Sequence, residues 1–345
     1  VRIGHESLAE IAAGLLRTKG IPADSAAFIA ETLVDADLRG HFSHGVHQLH
    51  SYLESLDNGR VNANPTIKTV ERTSTRAHIN AGGGMGQLAA RDAMQAAIDL
   101  ARESGVGVAT VSHSTHYGAG GYWVRMAVSA GMIGFTTSND PGVTVAAHGS
   151  SEPALGNLPY AWSVPAGGEP DIVLDMGTGT VADGKVSLAA LDGSPAGAGW
   201  GVDADGEPAI GAADIAALLP FGGAKGFGIN LVSDVLGGIL AGNEASSVLA
   251  KQSEQKDLRT SHFFLALDVS AFTDESEFRA RVDRQIQAVR AARRAPGVER
   301  ILIPGERAGE SRREQLQMGI KLPAMVRSRL ADLAEARGVS TPWRK

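Results

Sequence analysis

The sequence predicts a mixed α/β fold in which helical ends bracket a sheet-containing middle. Three observations carry this. Apolar residues recur at helical spacing from residue 7 to residue 56, short apolar or alternating runs divided by glycines follow from Thr66, and charged amphipathic stretches close the chain. In the first stretch Leu8, Ile11, Ala12, Leu15 and Leu16 share one face of a helix over 7–19, stopped by Gly20. Pro22 and Asp24 open a second helix with the stripe Phe28, Ile29, Leu33 and Ala36, and a third over 49–56 ends at Asp57-Asn58-Gly59. Strands over 77–80 and 106–111 flank a helix over 87–102. A helix over 125–130 leads to a strand over 132–137, and further strands are expected over 172–175, 181–188 and 263–268. Residues 192–208, rich in Gly, Asp, Ala and Pro, read as a surface excursion. An apolar helix over 226–240 is expected to be buried, and charged helices fill 275–292 and 312–337. The chain thus divides into a helical part over 1–70, a sheet-containing part over 71–300 with its excursion at about 190–210, and a C-terminal part over 301–345.

Composition narrows the function. With 43% hydrophobic and 20% charged residues, the 345-residue chain has an ordinary globular balance. A net charge of −6 without a basic stripe argues against nucleic acid or an anionic membrane as partner. No cysteine is present, which removes disulfides, thiolate nucleophiles and Cys-based zinc sites. The first twenty residues carry charges throughout, unlike a secretory leader, and no stretch is expected to match a membrane span; the expected location is the cytoplasm.

Three glycine-rich segments invite a phosphate-loop reading, and none keeps the spacing. In Gly82-Gly83-Gly84-Met85-Gly86 the third glycine of GxGxxG falls on Gln87, and in Gly118-Ala119-Gly120-Gly121 it falls on Trp123. Gly222-Gly223-Ala224-Lys225-Gly226 holds a lysine without the GxxxxGK[ST] frame. These glycines read as tight turns. Lys225, just before an apolar helix, stands where a helix N-terminus favours an anion, or is an exposed turn lysine.

Six of the ten histidines fall in two short segments: His41, His44, His47 and His50, then His113 and His116. Imidazole gives and takes protons at working pH. The three-residue spacing of the first cluster raises a metal-dependent hydrolase or lyase as a rival, but Gly40 and Gly45 interrupt the helix and no carboxylate stands at an HExxH-type interval.

Asp37-Leu38-Arg39-Gly40 followed by Ser43-His44-Gly45 resembles the signature of the malate/L-lactate dehydrogenase-like oxidoreductases. That family includes ureidoglycolate and sulfolactate dehydrogenases, diketogulonate reductase and piperideine-2-carboxylate reductase. The similarity continues in order through residues 113–118, Leu155-Gly156-Asn157-Leu158-Pro159, Asp175-Met176, residues 219–226 and Pro304-Gly305-Glu306.

The resemblance implies a non-Rossmann fold: a largely antiparallel nucleotide-binding sheet domain, and a helical domain built from both chain ends. It also implies a homodimer or larger assembly. The implied reaction is hydride transfer between NAD or NADP and a small 2-oxo or 2-hydroxy acid, or a cyclic imino acid, with no metal. Carried over by position, His44 and His116 are the candidates for proton exchange, with Asp175 assisting. Ser43, Gln48, Arg39 and Asn139 are the substrate candidates. His113, Gly156, Asn157, Pro159, Asp175, Met176, Gly177, Lys225, Gly226, Pro304, Gly305 and Glu306 fall on cofactor-contacting segments.

Two departures stand out. Relatives carry Arg at the place of Gln48, and read Gly-Thr-Asn-Pro where this chain has Gly156-Asn157-Leu158-Pro159. Glutamine supplies hydrogen bonds without charge, so an atypical substrate is expected, with Arg39, His47 or His50 as replacement donors. A second rival is a catalytically silent nucleotide-binding member.

Overall fold

The computed structural model describes residues 2–252 and 260–343. The N-terminal periodicity folds into α1 (His5–Arg17), α2 (Ala23–Leu38) and α3 (Leu49–Asp57). Between α2 and α3, two 3-10 turns, Phe42–His44 and Val46–Gln48, carry the histidine-rich segment. The middle of the chain then runs β1 (Lys68–Arg72), β2 (Arg76–Asn80), α4 (Gly86–Ser104), β3 (Val106–Ser114), α5 (Gly120–Ser129), β4 (Met132–Ser138), β5 (Val143–Ala146), β6 (Pro153–Gly156), β7 (Pro159–Val164) and β8 (Ile172–Gly177). After these come α6 (Asp183–Asp192), β9 (Gly201–Val202), β10 (Ala217–Leu218), α7 (Ala224–Gly237), α8 (Ser246–Lys251), β11 (Thr260–Asp268), α9 (Glu275–Arg290), α10 (Glu306–Met318) and α11 (Ala324–Ala336).

Seven strands form the main sheet, in the order β1-β2-β3-β11-β4-β7-β8. The β2–β3 pair is parallel and every other neighbouring pair is antiparallel. The exception follows from connectivity, since α4 makes the long crossover that a parallel pair requires. A smaller sheet, β6-β5-β10-β9, lies beside it.

The chain ends meet in one apolar core. Leu8, Leu15, Ile29, Leu33, Leu49 and Leu53 pack with Ile320, Leu322, Val326 and Leu330, and Ile3 bridges to Ile320 in antiparallel fashion. Each such large side chain contributes about 1.5–3 kcal/mol on burial. A second core sets α4 and α5 against the main sheet, around Met94, Val111, Trp123 and Phe264.

Four expectations are corrected. Within 181–188 helix α6 begins at Asp183 where a strand was expected, because Lys185, Leu188, Ala189 and Ala190 favour a helix and Gly193 in the left-handed region stops it. The single helix over 312–337 is two helices, broken where Gly319 (φ +82°) and Pro323 interrupt the ladder. Helix α7 is not buried all round: Asn230, Ser233 and Asp234 face inward, whereas Leu231, Val232 and Val235 are exposed. Residues Ala224–Ala241, with mean hydropathy 1.2, do meet the length and apolarity of a membrane span, although none was expected from the sequence. Strands β1, β5, β6, β7, β9 and β10 were not anticipated; all but β7 have too few alternating apolar positions to register.

Candidate active site

The loops between these elements converge on a cleft of about 730 Å³. Its walls come from His41, Ser43, His44 and Gln48 on the 3-10 turns, from His116 to Gly120 before α5, and from Asn139 and Asp140 after β4. The end of β8 adds Asp175, Met176 and Gly177, the start of α6 adds Asp183, Gly184 and Lys185, and α10 adds Arg307.

His44 and His116 face one another with ring centroids 5.6 Å apart. The Tyr52 hydroxyl lies 2.7 Å from His116 Nδ1, and Gln87 Nε2 donates to the same hydroxyl at 3.0 Å. Gln87 fills one lone pair of the phenol, and the contact then fits the tautomer in which Tyr52 donates its own proton to Nδ1 and the imidazole proton stands on Nε2. His44 Nδ1 sits 3.0 Å from Ser43 Oγ. Burial pushes His116 down to about 3, helped by the neighbouring His44. Burial also lowers His44, and His41 adds to this, but Asp175 and Asp183 pull it back up.

Asp175 is presented against the first turn of α5, where a helix N-terminus favours a negative charge. A Cβ at Gly121 would lie 2.7 Å from Asp175 Oδ2, so part of the Gly118–Gly121 run makes room for this carboxylate. His41 Nδ1 is 3.9 Å from Asp175 Oδ2. Burial lowers the His41 imidazole, against the opposing pull of Asp175. Nearby, Asp35 pairs with Arg125, with Arg39 at 2.8 Å and with Arg312 at 3.4 Å. Burial works against the Asp35 charge, but the three guanidinium groups outweigh it and hold the carboxyl below its usual range. Arg125 itself is brought down to about 10 by burial.

Of the residues singled out in the sequence, His44, His116, Asp175, Ser43, Gln48, Asn139, Asn157, Pro159, Met176 and Gly177 line this cleft. Several of their polar groups are spent on the protein itself. Gln48 Nε2 donates to Ser43 O at 2.6 Å, Asn139 bridges Glu244 O and Ser261 N, and Asn157 bridges Val181 O and Gly179 N. The others lie elsewhere. Arg39 is committed to Asp35, and His113 is exposed at φ +53° outside the cleft. Gly156 lies behind Asn157, its carbonyl taken by Asn230. Lys225 lines a separate groove with Phe135, Tyr160 and Trp162, and Gly226 packs on the Phe221 carbonyl. Pro304 accepts from Val173 N at 3.0 Å, Gly305 packs on Val173 and Glu306 pairs with Arg290, so this segment supports β8 rather than lining the cleft.

The histidines of residues 41–50 diverge. His41 turns to Asp175 and His44 to His116, while His47 and His50 are absent from the cleft lining. Among the described residues no three His, Asp or Glu side chains converge as metal ligands would. Sequence reasoning missed Tyr52, Gln87, Asp140, Asp183, Lys185 and Arg307. Tyr52 stands one helical turn after Gln48 and Asp140 directly follows Asn139, signals that were available; the others approach only through tertiary structure. Asp140 is pushed up to about 6 by burial, with Asp183 and Asp234 adding to the effect. Thr144 and Thr260 line the cleft, and their buried hydroxyls have no hydrogen-bond partner among the described residues.

Comparison with known proteins gives the class and then the family. Malate dehydrogenase of Pyrococcus abyssi is 34% identical over 98% of this chain and 96% of its own. L-sulfolactate dehydrogenase of Methanocaldococcus jannaschii is 33% identical over 85% of each chain, and ureidoglycolate dehydrogenase (NAD(+)) of Escherichia coli K12 is 31% identical over 93% of each. The solved malate dehydrogenase of Pyrococcus horikoshii OT3 superposes with a TM-score of 0.89 at 31% identity, covering 99% of this chain and 96% of that one. With such relatives the chain is an oxidoreductase, a dehydrogenase acting on hydroxy acids. The family described as malate/L-lactate dehydrogenase matches residues 3–331, and the chain belongs to it.

Proposed function

We propose that the cleft interconverts a small 2-hydroxy acid and its 2-oxo acid, with NAD or NADP as redox partner; the facing pair His44 and His116 beside Asp175 carries this reading. A cyclic imino acid is the related substrate class. The cleft suits the cofactor: its volume falls in the range of ligand sites, and the unpartnered Thr144 and Thr260 hydroxyls offer polar contacts. When bound, the nicotinamide accepts or returns the hydride of the substrate carbon.

The residues of this chain manage the proton. In oxidation, neutral His44 takes the hydroxyl proton while Asp175 and Asp183 stabilise the resulting imidazolium. His116, kept uncharged by burial and oriented by Tyr52, donates its Nε2–H to the substrate oxygen. In reduction the proton returns from His44. With Gln48 neutral and closed onto Ser43, and with Arg39, His47 and His50 outside the lining, the substrate carboxylate meets Lys185 or Arg307. That relocation of charge supports an atypical substrate.

In this reading the main sheet is a non-Rossmann nucleotide-binding domain, the two chain ends form the helical domain, and a second copy covers the exposed apolar side of α7. The test is a matrix of NAD and NADP against malate, lactate, sulfolactate, ureidoglycolate and cyclic imines, followed by nicotinamide absorbance. Turnover with at least one pair is expected. Tight cofactor binding without turnover would identify a silent member instead.

A further inference from the structure

At the C-terminal end of α2, Asp37 is fully buried. Its Oδ2 accepts the Val46 backbone N–H at 2.9 Å, nine residues on, across the loop that carries His44. Its Oδ1 touches no hydrogen-bond donor among the described residues. Burial pushes the carboxyl well above its usual range, and the single Val46 N–H only partly offsets this. A buried acid so poorly satisfied lowers stability and calls for a reason.

The neighbouring glycine supplies it. A Cβ at Gly45 would lie 1.8 Å from Asp37 Oδ1 and 2.2 Å from Cγ. The loop backbone therefore lies directly on the carboxyl, and only glycine at 45 permits that approach. The other side of Asp37 is also fixed. Gln315 of α10 donates to the carbonyls of both Asp37 and Leu38 at 2.9 Å, and Ser311 donates to the Leu38 carbonyl at 3.0 Å. A C-terminal helix thus secures the end of α2, and the Asp37 side chain carries that constraint to residues 44–46.

We propose that Asp37 is a positioning residue: it clamps the Gly45–Val46 backbone so that His44 faces His116 across the cleft. Asp37 touches no cleft surface and acts through the loop alone. The proposal rests on the proton-exchange role given to His44, but its structural half stands independently of it.

Two readouts test it on the full chain. The first is hydrogen exchange of the Val46 amide. Asp37→Ala removes the acceptor, and Gly45→Ala drives the loop off the carboxyl, so both variants should lose Val46 protection. Asp37→Asn keeps an acceptor oxygen and should retain most of it. The second is kinetics on the best substrate: Asp37→Ala and Gly45→Ala should each lower kcat about 10²-fold, the scale of a misplacement near 1 Å, with the cofactor KM changed less than about twofold. Asp37→Asn should recover most of the activity. Because Asp37→Ala vacates the space a Cβ at 45 needs, the double variant should be no worse than Asp37→Ala alone. Unchanged Val46 exchange in Gly45→Ala, or additive losses in the double variant, would overturn the clamp. If Asp37→Ala does not fold, Gly45→Ala still decides by the exchange readout. If wild type turns over none of the substrates, the exchange result decides the clamp while the proton-exchange reading fails separately.

Discussion

His44 and His116 sit within one cleft, yet their surroundings differ. Only His44 has carboxylates pulling its proton affinity upward, whereas burial and His44 itself hold His116 near 3. For oxidation the accepting ring must be neutral. Since burial lowers His44 below 6.5, oxidative kcat/KM should stay level as pH falls through 6.5 and decline only at lower pH. Asp175→Asn removes one upward pull, so the acidic decline should move further down, and reduction at neutral pH, which needs the protonated ring, should slow. A pH–rate series on wild type and this variant checks both signs. A decline of oxidation at or above pH 6.5 would contradict the assignment. At this scale the sequence was informative about residue type. Spacing and resemblance singled out both histidines and Asp175, but could not show that Arg39 is captured by Asp35 or that Gln48 closes onto Ser43, because those partners are fixed only by the folded chain.

Element by element, the long periodic helices were legible because their apolar stripes repeat often enough to be unambiguous. Over residues 181–188 the alternation of Val186 and Leu188 with Lys185 and Ser187 mimics a strand, while the helix formers that follow in α6, Ala189 and Ala190, lie beyond that stretch. That helix matters to the site. Its first turn lies on the loop before His44, and a Cβ at Gly184 would fall 2.5 Å from Ser43 Cβ. A larger side chain must push α6 and Ser43 apart and move Asp183 and Lys185 with them. Gly184→Val should therefore raise substrate KM by about tenfold, roughly 1.4 kcal/mol of lost binding, with little change in cofactor KM. Equal changes in both constants would mean that α6 does not shape the substrate end of the cleft.

On the scale of the whole molecule, periodicity alone indicated helices at both ends of the chain, while their meeting in one core was implied only by family resemblance. No local pattern encodes that Leu15 and Leu33 share one core with Val326 and Leu330. The misjudged burial of α7 has a related cause: an apolar helix looks the same in sequence whether a core or a second subunit covers it. Leu231, Val232 and Val235, with Ile239 and Leu240 beyond, leave an apolar surface larger than scattered single residues would give. Sedimentation should show a dimer or larger assembly for wild type and a shift toward monomer for Val232→Glu. A monomeric wild type would remove the second subunit from the account.

The most direct test of the central claim, that His44 exchanges the proton, is single-turnover oxidation of the best substrate by His44→Asn, with cofactor affinity measured alongside. The proton-exchange role predicts a rate loss of about 10²–10⁴-fold with cofactor binding retained. A rate within about twofold of wild type would contradict it.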